Sequence, residues 1–285
     1  MGAFLPDEFV FATVHCALKE DIRGGDVTTL TTVPANAVVT ARMVAREPLV
    51  LCGVQLALEA FQQRAPRVKF KFLLADGASF AEGGRILTVR GPARAILSAE
   101  RVALNFVQRL SGIATLTARF VKAVRGTRAA IYDTRKTTPG LRILEKYAVL
   151  CGGGRNHRLG LHDQILIKDN HLAALRGAKP NAIAAAVHRA RKRYPKLLVE
   201  VEADSLAQVR QAVAARADII LLDNMPSAQL RAAVKLVRGR ALTEASGGVN
   251  LRNVRAIAAT GVDRISVGAL THSAPAVDIA LDFED

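Results

Sequence analysis

The segment DTRKTTPG, residues 133–140, holds an acid, two cations and three threonine hydroxyls ahead of a proline. No apolar period of strand or helix type runs through it, so it offers no face to bury. More cations follow: His157 and Arg158 in CGGGRNHRLG, and Lys168 at the end of QILIK. Arginine and lysine are most often plain surface charge. Here they flank glycines, which let backbone approach a ligand, and converging arginines suit carboxylates or phosphates through paired hydrogen bonds. Anion binding is therefore the reading for the Thr134, Arg135, Lys136 cluster, for His157 and Arg158, and for Lys168.

A second set is acidic: Glu200 and Glu202 in LLVEVE, and Asp223 in DIILLD. A strand period of two puts both glutamates on one face and Val199 and Val201 on the other. Buried acids need partners; lysines, a metal ion or sugar hydroxyls would each serve. Mg²⁺ is held by one or two carboxylates plus substrate phosphates, which favours a bound phosphorylated sugar, although hydroxyl binding alone would serve too. Asn224 reads as a turn or cap residue. A third set is glycine-bearing: Ser246, Gly247 and Gly248 in EASGGVN, then Val267, Gly268, Ala269 and His272 in SVGALTHS. Each follows a strand candidate, the glycine pair ahead of a helix N-terminus, where free N–H groups suit phosphate. A phosphorylated activated sugar and a polycarboxylate together fit these three sets.

The elements that position these groups follow a rhythm. Apolar strand candidates lie at 129–133, 164–168, 197–202, 218–223, 240–245 and 263–268, with helical text between the later ones. Successive βα units make a parallel sheet with right-handed crossovers. Asp133, Lys168, Glu202, Asp223, Glu244 and Gly268 all end their strands, the place where barrel enzymes build active sites. The expected fold is α/β, an open, incomplete TIM-like parallel barrel. Upstream, residues 30–92 are strand-like with a helix at 54–64, and residues 93–126 read as long helical text broken near Ser111-Gly112. This gives an N-terminal α/β sandwich domain at 1–112 and a barrel domain at 113–273.

Bulk composition narrows the classes. The chain has 285 residues, half of them apolar, which suits a packed core. Its net charge of +15 invites a nucleic-acid reading, but aromatics make up only 5% with no tryptophan, so base-stacking platforms are scarce. Three widely spaced cysteines with no C-x-x-C pair fit a reducing compartment. The start MGAFLPDEFV reads neither as a signal peptide nor as a myristoylation site, and no apolar run is long enough for a membrane span. A cytoplasmic enzyme is expected, with neither nucleic acid nor membrane as its partner.

The stretches DTRKTTPGLR, GGGRNHRLGLHDQILIKDNH, VEVEADSL, ILLDN, EASGG and VGALTHS, with ERVALNFVQRLSGIAT before them, resemble the quinolinate phosphoribosyltransferase family over nearly the whole chain. The resemblance implies that phosphoribosyl pyrophosphate and quinolinate, with Mg²⁺, give nicotinate mononucleotide, pyrophosphate and CO₂ in NAD biosynthesis. It also implies that residues 274–285 return to the first domain, and that a homodimer forms in which Arg101 enters the partner's active site. Carried over, Arg101, Arg135, His157, Arg158 and Lys168 clasp the quinolinate carboxylates, while Lys136 and Lys168 face pyrophosphate. Glu202 and Asp223 hold the ribose hydroxyls and Mg²⁺; Ser246, Gly247, Gly268 and His272 seat the 5′-phosphate. The alternatives are a paralogue on the same scaffold with another acceptor, and a nucleic-acid-binding protein.

Overall fold

A computed structural model describes residues 5–72 and 75–284. The reading of the first residues as no targeting signal, and part of the strand text at 68–80, lie outside them. Along the chain come α1 (Asp7–Ile22), α2 (Val27–Thr32), β1 (Val38–Ala45), β2 (Leu49–Val50), α3 (Val54–Arg64), β3 (Lys69–Phe72), β4 (Ser79–Phe80), β5 (Arg85–Pro92) and α4 (Ala93–Ala123). Then follow β6 (Ala130–Tyr132), α5 (Arg142–Cys151), β7 (Ile165–Ile167), α6 (Asp169–Ala173), α7 (Ala182–Arg193), β8 (Val199–Ala203), α8 (Leu206–Ala214) and β9 (Ile219–Asp223). The last elements are α9 (Ser227–Val237), β10 (Leu242–Ser246), α10 (Val254–Ala258), β11 (Arg264–Ser266), α11 (Ala269–His272) and β12 (Ile279–Phe283).

The chain divides into two compact units, one of residues 1–118, 143–153 and 274–285, the other of 119–142 and 154–273. In the first, β12-β1-β5-β3 form an antiparallel sheet. Val10, Val14 and Leu18 recur every four residues along α1 and are buried, as are Leu56, Ala57, Ala60 and Phe61 of α3, the one-sided pattern of a helix on a core. Residues 7–32 carry two helices where no element was expected. In α2, Asp26 accepts the Thr29 N–H at 3.0 Å, and this cap helps a helix form in the threonine-rich text VTTLTT.

The long helix α4 is continuous, which corrects the expected break at Ser111-Gly112. Both residues are there for packing. The Ser111 hydroxyl holds the Cys52 backbone through N–H and C=O at 2.9 and 3.2 Å. A Cβ on Gly112 would stand 2.0 Å from the Pro275 carbonyl oxygen. A helical glycine costs about 1 kcal/mol against alanine; close approach of another backbone is what keeps it.

The second unit is the open barrel. Six strands run parallel in the order β6-β11-β10-β9-β8-β7, and among the described residues no pairing joins β6 to β7. One further parallel bridge, Tyr132 with Arg155, extends the β6 edge. In β8, Val199, Val201 and Glu200 are buried and Glu202 is half-buried. The core is aliphatic, with Ile167, Val201, Ile219, Ile220, Leu222 and Ile265 at the strands. Short helices cap it, such as α7, where Asn181 accepts the Ala184 N–H at 2.9 Å.

Candidate active site

The C-terminal ends of the six barrel strands surround a cavity of about 780 Å³, large enough for a cofactor-sized ligand. Thr134, Arg135, Lys136, His157, Arg158, Lys168, Glu202, Asp223, Ser246, Gly247, Gly248, Gly268, Ala269 and His272 all line it. Val267 does not: its N–H bonds the Tyr132 carbonyl at 2.9 Å and its side chain is buried in the core. Arg101 is exposed on α4 in the first unit and is not among the lining residues.

The DTRKTTPG loop is held by its own polar atoms. Thr134 Oγ1 accepts the Lys136 N–H at 3.1 Å, and Thr271 Oγ1 donates to the Lys136 carbonyl at 2.7 Å. Arg142 ties the loop to the next one by donating to Thr137 Oγ1 at 3.0 Å and to the Leu159 carbonyl at 3.2 Å. The Asp133 carboxylate accepts the His157 N–H at 2.8 Å, which brings the two cationic loops into register. The Lys136 stem runs over Gly268, where a Cβ would meet Lys136 Cδ at 3.2 Å and His272 Nε2 at 3.1 Å.

Beneath the cations lies a buried acidic floor. His157 Nε2 stands 3.1 Å from Glu200 and 3.4 Å from Glu244, and Gln164 donates to the same Glu200 oxygen at 2.6 Å. Burial of the ring is the largest influence on His157 and disfavours its charge. The hydrogen bond to Glu200 and the nearness of Glu244 outweigh burial and raise it to about 9. Nδ1 also lies 2.8 Å from the Arg158 N–H, a contact that only a neutral ring accepts. Two buried carboxylates outweigh one backbone contact, so the cation is favoured. Burial raises Glu200 as well, against the pull of His157. Glu244 sits at ion-pair distance, and among the described residues neither of its buried oxygens has a hydrogen-bond partner.

The wall is unbalanced in the other direction. Arg158 donates to the Gln164 carbonyl at 3.2 Å, and both its burial and the charge of Arg135 lower its pKa. Arg135 Nε is buried with no hydrogen-bond partner among the described residues. A donor in that state costs about 1–3 kcal/mol unless a ligand satisfies it. Across the cavity, Lys168 Nζ pairs with Glu202 at 3.5 Å, and Asn224 donates to Asp223 at 2.8 Å. Asn224 and Gly247 have positive φ, and a Gly247 Cβ would sit 2.1 Å from Asn224 Oδ1, so this turn needs glycine. As expected, the glycine pair lies between a strand and the next helix, β10 and α10, with residues 249–253 between it and the helix.

Sequence reasoning put Glu244 at an active-site strand end but gave it no role, and it missed Asn224 as a lining residue and Gln164 as the buried partner of Glu200. Glu244 carried a usable signal as an acid ending an apolar strand. Gln164 and Asn224 carried none, because their contacts depend on the folded loops.

Residues 26–111 match the N-terminal domain of quinolinate phosphoribosyl transferase and residues 113–282 match its C-terminal domain. The chain belongs to the quinolinate phosphoribosyltransferase family. It is 50% identical over 279 residues to the nicotinate-nucleotide pyrophosphorylase [carboxylating] of Mycobacterium leprae, covering 95% of this chain and 96% of that one. It is 43% identical over 264 residues to the probable enzyme of the same name from Bacillus subtilis, covering 92% and 89%. The solved nicotinate-nucleotide pyrophosphorylase of Francisella tularensis superposes with a TM-score of 0.94 at 40% identity, covering 99% of this chain and 98% of that one.

Proposed function

We propose that this phosphoribosyltransferase takes quinolinate and phosphoribosyl pyrophosphate to nicotinate mononucleotide, pyrophosphate and CO₂, the step that commits quinolinate to NAD. The observation that carries this reading is the buried, unpartnered Arg135 Nε beside a desolvated Arg158. That pair is arranged for an anion of the acceptor. The two arginines supply forked and single donors for two ring carboxylates, the cationic His157 behind them adds positive charge, and clamping the carboxylates aims the ring nitrogen at the ribose C1.

Lys136 and Lys168 face the pyrophosphate and stabilise its negative charge as it departs. Glu202 and Asp223 accept hydrogen bonds from the ribose hydroxyls and stabilise positive charge growing at C1. The turns at Ser246–Gly248 and Gly268–Ala269, with His272, seat the 5′-phosphate. No covalent intermediate with the enzyme is needed. Once ribosylated, the pyridine nitrogen is cationic and serves as the electron sink for loss of the 2-carboxylate.

Glu202 and Asp223 also fit Mg²⁺, being hard carboxylate donors that line one cavity without deep burial; bound there with substrate phosphates, the ion would add charge stabilisation to the leaving group. The active unit is proposed as a homodimer, in which the exposed Arg101 completes a neighbour's acceptor site. The working compartment is proposed as the cytoplasm, which suits three free cysteines. Among the described residues, no helix is long and apolar enough to cross a membrane.

The reaction is tested with quinolinate labelled at the 2-carboxylate, phosphoribosyl pyrophosphate and Mg²⁺. Labelled CO₂, pyrophosphate and nicotinate mononucleotide should appear in equal amounts. Pyrophosphate without labelled CO₂ would move the protein to a paralogue with another acceptor.

A further inference from the structure

The first unit holds all three cysteines, none of which lines the cavity, and two of them lie together. Cys52 lies in the turn between β2 and α3 and is fully buried; Cys151 is the last residue of α5 and is partly exposed. Their sulfurs and an oxygen of Asp76 all lie within 4.8 Å of one another. The surroundings are well fixed. Ser111 holds the Cys52 backbone on both sides, as described above. Asp76 caps α3 by accepting the Gly53 and Val54 N–H groups at 2.9 and 3.2 Å. Tyr147, one turn before Cys151 on α5, donates its hydroxyl to the same carboxylate at 3.0 Å.

These bonds separate thiol chemistry from metal binding. Both Asp76 oxygens are committed to a helix cap and a phenol, and only two sulfurs remain, short of the four donors of a structural zinc site. What remains is a dithiol. We propose that oxidation joins Cys52 to Cys151 in a reversible disulfide that restrains the segment leading from α5 to His157 and Arg158.

The two thiols are unequal in a way that orders the steps. The hydrogen bond from Cys52 lowers Cys151 against burial and the Asp76 charge, whereas burial and that same bond push Cys52 well up. Cys151, more acidic and more accessible, is the attacking thiolate. With a peroxide as oxidant, its sulfur attacks one peroxide oxygen, the O–O bond breaks, and the other oxygen leaves as water after taking a proton. The resulting sulfenic acid is attacked by the Cys52 sulfur. The S–O bond breaks, a second water leaves, and the two thiols have together given two electrons to one peroxide. Closing to an S–S bond of about 2.05 Å asks for movement at Cys151, since Cys52 is pinned. A Cβ on the next residue, Gly152, would stand 2.3 Å from the Ala114 carbonyl oxygen, so the backbone there has little room to absorb that movement. The displacement passes along Gly153 and Gly154 toward His157 and Arg158.

The test uses the full chain in a Cys16→Ser background, which removes the exposed thiol. The reduced protein is treated with equimolar hydrogen peroxide. Thiols are then counted after denaturation, digests are weighed by mass spectrometry, and quinolinate kinetics are measured before oxidation, after it, and after dithiothreitol. Expected are paired loss of both thiols, a crosslinked peptide joining Cys52 and Cys151, and a several-fold rise in quinolinate KM that the reductant reverses. Cys52→Ala and Cys151→Ala should each form no crosslink and keep their KM under peroxide; either variant suffices if the other fails to fold. Cys151 reaching sulfinic acid while Cys52 stays free would overturn the proposal, as would a crosslink that leaves KM unchanged. The kinetic arm rests on the quinolinate reading: failure of the reduced enzyme to use quinolinate would contradict that reading, while the thiol count would still decide the bond.

Discussion

At the scale of single residues, the site is a set of charges held out of balance until a ligand arrives. Arg135 Nε has no hydrogen-bond partner among the described residues and Arg158 is crowded by Arg135, so each should contribute far more to the dicarboxylate than to phosphoribosyl pyrophosphate. Arg135→Ala or Arg158→Ala is predicted to lower kcat/KM for quinolinate by about 10- to 100-fold, from the ~1.5–3 kcal/mol of a charged hydrogen bond. KM for phosphoribosyl pyrophosphate should change little; equal losses in both would undo this division of roles. His157 gives a pH signature. It is raised to about 9 in the folded protein, so quinolinate KM should rise as pH passes about 9 and the ring loses its charge. The same linkage acts on stability. A histidine raised from its ordinary value near 6.5 contributes stability that is fully present below that value and is lost as pH rises through about 9. Glu200, raised by burial, acts in the same direction, since its ionisation is penalised in the folded state. Melting temperature measured from neutral pH upward should therefore fall more steeply for the natural chain than for His157→Gln.

At the scale of elements, what could be read from the sequence and what could not divide along a physical line. The barrel strands were legible because each is an apolar run ending in a polar group, as IILLD ends at Asp223 and LTEAS at Ser246. Those endings also gave most of the cavity lining, since the strand ends are where the fold puts it. Hidden were features that only long-range packing decides. The helix α2 is built from β-branched text that a cap and tertiary contacts override. Gly112 reads locally as a helix break, yet it exists because the Pro275 backbone passes against it. The Gln164–Glu200 bond joins residues 36 apart in sequence, Gln164 just ahead of β7 and Glu200 within β8. Two substitutions test these close approaches. Gly112→Ala, with no room for its methyl, should lower the melting temperature by the equivalent of about 1–3 kcal/mol, the usual cost of overpacking. Gly247→Ala adds strain at φ +95° and displaces Asn224 from Asp223. It should raise KM for phosphoribosyl pyrophosphate more than KM for quinolinate, as read from initial rates with each substrate varied.

At the scale of the whole molecule, the net charge of +15 and the placement of Arg101 lead to separate predictions. A strongly basic chain attracts nucleic acid non-specifically, with an affinity that falls steeply with salt. Binding to single-stranded DNA should weaken with salt and be displaced by phosphoribosyl pyrophosphate, as expected of a basic pocket; binding that survives saturating substrate would instead mark a dedicated nucleic-acid surface. Arg101 is exposed on its own chain and does not line its own cavity, so in a shared-site dimer it acts in trans. Mixing the impaired Arg101→Ala and Arg135→Ala proteins should raise activity above that of either alone, through mixed dimers that retain one intact site. No recovery after subunit exchange would show that each chain works alone.

The central claim is that the cationic wall selects an acceptor with two carboxylates. The most direct test is the ratio of kcat/KM for quinolinate over nicotinate, measured in parallel with saturating phosphoribosyl pyrophosphate. Because a site built for a charged partner is left unpaired by the analogue that lacks it, the predicted ratio is at least about 100, collapsing toward unity in Arg135→Ala. Comparable use of both acids by the natural enzyme would contradict the account.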